Sequence, residues 1–208
     1  MRWSPQAEAL PLVRHELDAQ HALYAGELPA ALRWDPSLFE QAWALHPEAF
    51  HEIKMHGRLV RTPRWQQAYG ADYHYTGNVN RAQPIPEVLA PLHAWAREHL
   101  DGRLNGLLLN WYDAEQAHYI GKHRDSTINM VEGAPIVTVS FGAERAFRLR
   151  PWRAASPPRD FPARDGTVFV MPWETNLAFT HEVPHSARRK GRRISLTLRA
   201  FRTERLEP

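Results

Sequence analysis

Two residues able to bind a metal stand two apart in the stretch Tyr119-Ile-Gly-Lys-His123-Arg-Asp125-Ser. In a chain with 12 histidines a His-x-Asp pair arises easily by chance, so its weight comes from what lies downstream. There Thr180-His181-Glu-Val-Pro184 is followed, after a basic turn, by Arg193-Ile-Ser-Leu-Thr197-Leu-Arg199. Two close ligands, one distant imidazole and a strand bearing two arginines make a set with a definite chemistry. Two imidazoles and one carboxylate on one face of Fe(II) leave three coordination positions open. A bidentate 2-oxo acid fills two of them and dioxygen the third. If that acid is a diacid such as 2-oxoglutarate, its far carboxylate needs a fixed cation, which a planar guanidinium supplies better than an ammonium.

These roles ask for strands. In a strand, His123 and Asp125 share a face while Arg124 points to the other. The same alternation puts Arg193, Ser195, Thr197 and Arg199 on one face of the last strand, with Ile194, Leu196 and Leu198 on its back. Six residues at about 3.3 Å rise separate the two arginine backbones by roughly 20 Å. They therefore reach opposite ends of a small dicarboxylate rather than gripping one carboxyl together.

The rest of the chain is read for the elements that hold these residues. Asp35-Pro-Ser-Leu-Phe-Glu-Gln-Ala-Trp has an N-cap, a proline in the first turn and an amphipathic pattern, which predicts a helix. Residues 1 to about 34 read as helical or irregular. Phe50 to Val60 reads as a strand with His51, Ile53 and Met55 on one side, and Tyr73 and Tyr75 share a face in the segment after it. Ile85 to Leu100 is the clearest helix, since Val88, Leu89, Leu92, Trp95, Ala96 and His99 recur at three and four. Beyond it the period changes to two. Strands are predicted over Leu107–Tyr112, Pro135–Gly142, Arg145–Pro151, Gly166–Met171, Leu177–Val183 and Arg193–Phe201, with Trp152 to Asp165 a surface insertion. Short strands after a helical N-terminal third predict an α+β fold with a double-stranded β-helix, or jelly roll, at its core. One domain is expected over 1–208, with a helical extension over 1–50, a lid-like segment over 51–80 and the jelly roll over 104–201.

Composition narrows the class. A chain of 208 residues, 43% hydrophobic, can bury one sizeable core. The absence of cysteine excludes disulfides and thiolate metal sites and fits a reducing cytoplasm, where the protein is expected. No apolar run is long enough to span a bilayer and no leader is visible, so no membrane association is expected. The formal charge of +3 is too small to argue for a polyanion partner by itself. Eight tryptophans and six tyrosines serve a core or a nucleobase platform equally well.

Taken together, Asn110-Trp-Tyr112, His123-Arg-Asp125, Pro135-Ile-Val-Thr-Val-Ser-Phe-Gly142, His181-Glu-Val-Pro184 and Arg193-Ile-Ser-Leu-Thr-Leu-Arg199 resemble the AlkB family of Fe(II)/2-oxoglutarate-dependent dioxygenases. The likeness extends upstream through Pro63-Arg64 and Tyr69-Gly70 to Tyr75-Thr76-Gly77, about the last three quarters of the chain. It is greatest to the branch of the vertebrate homologue acting on double-stranded DNA. The resemblance implies that His123, Asp125 and His181 hold Fe(II), with His181 preferred to His185 by its His-x-x-Pro spacing. It implies that Arg193 and Arg199 bind the two ends of 2-oxoglutarate, with Asn110, Tyr112 and Thr197 completing the pocket. Tyr73 and Tyr75 would belong to a lid over a flipped base, Arg64 would lie near that lid, and Arg188, Arg189 and Lys190 would touch nucleic-acid phosphates. The implied activity is oxidative demethylation of N-alkylated bases in DNA or RNA, by a monomer whose partner is methylated nucleic acid.

Three positions depart from the family pattern. Ser126 and Thr127 stand where this branch carries an acidic pair, His56 stands where an apolar wedge fills the vacated base stack, and Trp111 replaces an arginine. The first two keep a second reading open, in which the same iron chemistry acts on a protein side chain or a small molecule. A binding module without turnover is a third reading, opposed by the intact ligand set and both arginines.

Overall fold

The structure is a computed structural model describing residues 3–4, 10–55, 58–75, 78–153, 155–186 and 190–202, without the side chains of Lys54, Met55 and Tyr75. The first described element is the hairpin of β1 (Val13–Glu16) and β2 (Ala22–Glu27). Its turn is held by the Asp18 carboxylate, which accepts from the backbone N–H of Gln20 and His21, both at 2.8 Å. Helix α1 (Pro36–Trp43) follows, with the Asp35 carboxylate accepting from Leu38 N–H at 2.8 Å and Pro36 in the first turn. Strands β3 (Glu52–Met55) and β4 (Arg58–Arg61) pair as a hairpin. They lead to β5 (Trp65–Tyr69), the hairpin β6 (Tyr73–Tyr75) and β7 (Asn78–Asn80), and the short β8 (Ala82–Gln83).

A 3-10 turn over Glu87–Leu89 runs into α2 (Ala90–His99). The remaining elements are β9 (Gly106–Asp113), β10 (Ile120–His123), β11 (Ile136–Gly142), β12 (Arg145–Pro151), β13 (Arg159–Ala163), β14 (Thr167–Met171), α3 (Trp173–Ala178), β15 (Phe179–Val183) and β16 (Arg192–Arg199).

Among the described residues the strands form an eight-stranded sheet ordered β1-β2-β14-β11-β16-β9-β5-β8, a four-stranded sheet ordered β10-β15-β12-β13, and two hairpins. The two larger sheets face each other as a jelly roll. Period-two alternation divides the core. On the outer face of the large sheet, Leu109, Trp111, Val139, Ile194 and Leu196 pack with Trp43 of α1 and with Leu92 and Trp95 of α2. Between the sheets lie Leu108, Ile136, Phe147, Leu149, Phe169 and Met171. Trp111, where a departure from the family was noted, faces the helices and donates its indole N–H to the Ala42 carbonyl at 2.9 Å.

Several expectations change. The 1–50 segment is not a helical extension. β2 pairs with β14 and extends the large sheet, burying Ala22 and Leu23. Its stability comes from the neighbour it pairs with, which a local apolar pattern does not report. The jelly-roll core likewise reaches outside 104–201, because β2 and β5 belong to its large sheet. Residues 152–165 are not wholly an insertion. β13 pairs with β12 as an edge strand whose Phe161 and Ala163 point inward while Arg159, Asp160 and Pro162 stay exposed. The proline, which cannot donate to a ladder, is tolerated at that edge. The segment over Phe50–Val60 is a hairpin rather than one strand, helix 85–100 is α-helical only from Ala90, and the strand expected from Leu177 starts after α3, at Phe179.

Candidate active site

His123 closes β10 and is the cross-strand partner of His181 in β15. The ladder therefore places both imidazoles side by side, with ring centroids 4.3 Å apart. His123 Nδ1 lies 2.9 Å from the Gly121 carbonyl oxygen and donates to it, which leaves the Nε2 lone pair for the cavity. Both Nε2 atoms stand 3.6 Å from Asp125 Oδ1, and one ligand atom from each of the three residues falls within 4.8 Å of the others. Asp125 Oδ2 is occupied otherwise, accepting from Arg199 Nε at 2.9 Å and Nη2 at 2.6 Å. One carboxylate oxygen is thus tied down and the other is presented to the imidazoles.

The charges suit a divalent cation. Burial opposes ionisation of Asp125, but Arg199 and the two histidines outweigh it and hold the carboxyl well below the ordinary carboxylate range. Burial, then repulsion from His123, pulls the His181 pKa down to about 3, so this imidazole is neutral and able to ligate.

Arg193 lies at the other end of the same cavity. The ladders explain its surroundings, because Gly142, Arg193 and Tyr112 form one cross-strand row and Ser140, Ser195 and Asn110 the next. Gly142 has φ +80°, and a Cβ there would stand 2.6 Å from the Arg192 carbonyl oxygen, so glycine is what lets β11 approach β16 at this point. The Arg193 side chain is fully buried and donates from Nη2 to Ser140 Oγ at 2.8 Å, while its Nε and Nη1 have no partner among the described residues. Burial lowers its pKa to about 10, which leaves it charged at neutral pH. A buried cation with unused donors is costly unless an anion meets it. The site fits the carboxylate of a small diacid.

These two ends, on one cavity lined by β9, β11, β15 and β16, match what comparison finds. Residues 29–199 match the profile of the 2OG-Fe(II) oxygenase superfamily. The chain belongs to that superfamily. Its cofactor and cosubstrate are Fe(II) and 2-oxoglutarate, with His123, Asp125 and His181 as the iron-binding triad.

Human (Homo sapiens) DNA oxidative demethylase ALKBH2 is 31% identical to the oxygenase chain over 163 residues, 73% of this chain and 61% of that protein. Rat (Rattus norvegicus) alpha-ketoglutarate-dependent dioxygenase alkB homolog 3 is 28% identical over 151 residues, 66% of this chain and 50% of that protein. The AlkB resemblance in the motifs is thereby borne out, although the chain spans only about half to three fifths of the length of these curated relatives. The solved structure of OsALKBH1 superposes with a TM-score of 0.56 at 15% identity, covering 90% of this chain and 99% of that one, and shows the fold.

The remaining residues singled out in the oxygenase sequence fall in different places. Asn110, Tyr112, Thr197 and Arg199 all line the cavity. Arg64 lines it too, buried beside Asn110, with Nε donating to Asn110 Oδ1 at 2.8 Å. Tyr73 is buried beside the metal carboxylate, its ring 4.6 Å from the Arg199 guanidinium carbon and its hydroxyl 3.5 Å from Asp125 Oδ1. The Tyr75 side chain, His56, Arg188 and Arg189 lie outside the described residues, and Lys190 is exposed. Ser126 and Thr127 are half-buried just past Asp125, and His185 is exposed, edge-on to Tyr119 and apart from the triad.

Sequence reasoning missed two residues. Ser140 was legible as an inward position of the strand ending at Gly142. Asn176, buried in α3, contacts the main chain of Asp125, and nothing in the sequence pointed to it.

Proposed function

We propose that this oxygenase removes N-methyl groups from bases of DNA or RNA. The reading is carried by one observation: a His-Asp-His triad shares a cavity with a buried, under-used arginine, in a chain similar to a DNA oxidative demethylase. In this reading Arg193 receives the distal carboxylate of 2-oxoglutarate, and Arg199, anchored on Asp125, stands beside its metal-bound end. Asn110, Tyr112 and Thr197 complete the pocket, with Arg64 orienting the Asn110 amide. When bound, Fe(II) with dioxygen and 2-oxoglutarate supplies hydroxylation of an N-methyl carbon, and 2-oxoglutarate leaves as succinate and carbon dioxide. The resulting N-hydroxymethyl group gives up its hydroxyl proton to solvent and releases formaldehyde, and the nitrogen of the restored base keeps the electron pair of the broken C–N bond.

The protein's own task is to hold an extruded base with its methyl near the open metal positions. Tyr73 and Tyr75 are assigned to that base, and Arg188, Arg189 and Lys190 to the phosphates. The protein is taken to act as a cytoplasmic monomer. No described helix is long and apolar enough to cross a membrane.

The test is succinate and formaldehyde release with Fe(II) and 2-oxoglutarate, with and without oligonucleotides carrying 1-methyladenine or 3-methylcytosine. Formaldehyde in step with succinate, only when the methylated oligonucleotide is present, is the expected result. Failure of every methylated oligonucleotide to stimulate turnover overturns the nucleic-acid reading in favour of a protein or small-molecule substrate.

A further inference from the structure

Asp125 lies two residues past the last ladder position of β10, in a stretch without strand or helix. Its carboxylate must nevertheless stand at a fixed distance from two imidazoles held by a different pair of strands. The side chain of Asn176 meets the main chain of Asp125 on both of its polar groups. Asn176 Oδ1 accepts from Asp125 N–H at 3.0 Å, and Asn176 Nδ2 donates to the Asp125 carbonyl at 3.2 Å. One amide thereby does for this residue what a neighbouring strand does inside a sheet. Asn176 is completely buried, so no water competes for these bonds.

The adjacent residue docks on the same helix. Arg124 Nη1 donates to the Leu177 carbonyl at 2.9 Å, with its guanidinium carbon 4.2 Å from the Trp152 ring centroid. Helix α3 itself is pinned from behind, where Thr175 Oγ1 donates to the Ala22 carbonyl of β2 at 2.8 Å. It continues directly into β15, so Asn176 and the ligand His181 sit on one short, continuous piece of chain.

We propose that Asn176 is a positioning residue of the metal site, its amide clamping the main chain of Asp125 and so setting that carboxylate against the His123–His181 pair. The strand register fixes the two imidazoles relative to each other, and the clamp fixes the third ligand relative to both. The inference concerns the metal site alone and holds whichever substrate the enzyme takes.

The experiment is a Mn(II) titration of the metal-free full chain, followed by electron paramagnetic resonance, in wild type, Asn176→Ala and Thr175→Val. Both substitutions loosen α3 and lower the melting temperature, but only the first touches Asp125. Removal of a partner that orients a metal ligand weakens metal binding by about 10- to 100-fold, and that loss is expected for Asn176→Ala. Thr175→Val should stay within about twofold of wild type, since all its ligand contacts remain. Wild-type affinity in Asn176→Ala, or an equal loss in Thr175→Val, overturns the assignment. Should Asn176→Ala not fold, hydrogen exchange of the Asp125 amide in metal-free wild type decides. Protection like that of the β15 amides supports the clamp, and exchange at the rate of an exposed loop refutes it.

Discussion

Arg193→Lys tests the cosubstrate end of the cavity most sharply, because it keeps the charge and removes only the planar fork. In the folded protein one nitrogen of the guanidinium is used by Ser140 and two have no partner among the described residues. The second proton of Nη2 lies parallel to that of Nε or of Nη1, so a carboxylate arriving on that edge can accept two parallel charge-assisted hydrogen bonds. An ammonium on a shorter, more flexible stem loses at least one of them and the fixed direction of the other. A hydrogen bond to a charged group contributes about 1.5–3 kcal/mol. At about 1.4 kcal/mol per decade, the dissociation constant for 2-oxoglutarate should rise about 10- to 140-fold. Calorimetric titration of the Mn(II)-loaded protein measures this, and Mn(II) affinity should not move, since Arg193 touches none of the three ligands. Melting curves add a check, because 2-oxoglutarate should raise the wild-type melting temperature more than that of the variant. Unchanged 2-oxoglutarate affinity, or Mn(II) affinity falling in parallel, would refute the reasoning.

Four further outcomes are expected. Asp125→Ala should abolish Mn(II) binding and coupled turnover while His185→Ala leaves both near wild type; activity retained in the first variant would break the triad assignment. In the metal-free protein the His181 pKa is near 3 against an ordinary 6.5, so between those values the unfolded chain holds a proton that the folded chain does not. Stability should therefore fall as pH is lowered from about 6.5, by up to about 1.4 kcal/mol per unit. The depressed Asp125 adds a contribution that is present above its ordinary pKa and lost as pH falls through its folded value; denaturant curves from pH 7.5 to 4.5 should flatten in His181→Gln, and parallel curves would count against a buried neutral imidazole. Replacing Arg188, Arg189 and Lys190 with Ala should reduce the salt slope of binding to a methylated single strand by about 2, whereas Tyr75→Ala should weaken binding by about 1–3 kcal/mol with little change in slope. His56→Phe should improve repair of duplex selectively, and a wild type that already prefers duplex and is unaffected by the change would remove His56 from the argument.

The cavity-facing residues of β16 were legible because their geometry is local. Period-two alternation along β16 carries Arg193, Ser195, Thr197 and Arg199 into the cavity and Ile194, Leu196 and Leu198 onto the helices, as the bare sequence implies. The pairing of Arg199 with Asp125 joins residues 74 apart, and no spacing rule announces it. Asn176 was invisible for the same reason, since its partner is a main chain 51 residues away. β1 and β2 are hard to read locally because β1 is short and polar and β2, short but apolar, is fixed as a strand by its pairing with the distant β14. β13 was obscured by Pro162 and its charged neighbours, which are the residues expected on an edge. Arg64 meets Asn110 across 46 residues of sequence, a contact that no spacing announces.

The N-terminal hairpin also bears on how the domain can be trimmed. The superfamily profile begins at residue 29, just after β2 ends at Glu27. A fragment cut at that boundary would retain every iron and cosubstrate residue named above, yet it would strip the neighbour from β14. That strand is rich in apolar residues, Val168, Phe169, Val170 and Met171, and its freed backbone would invite pairing with another copy. The Ala22 carbonyl that receives Thr175 would go with it, leaving α3 without its rear anchor. Such a fragment would look complete by homology and still self-associate.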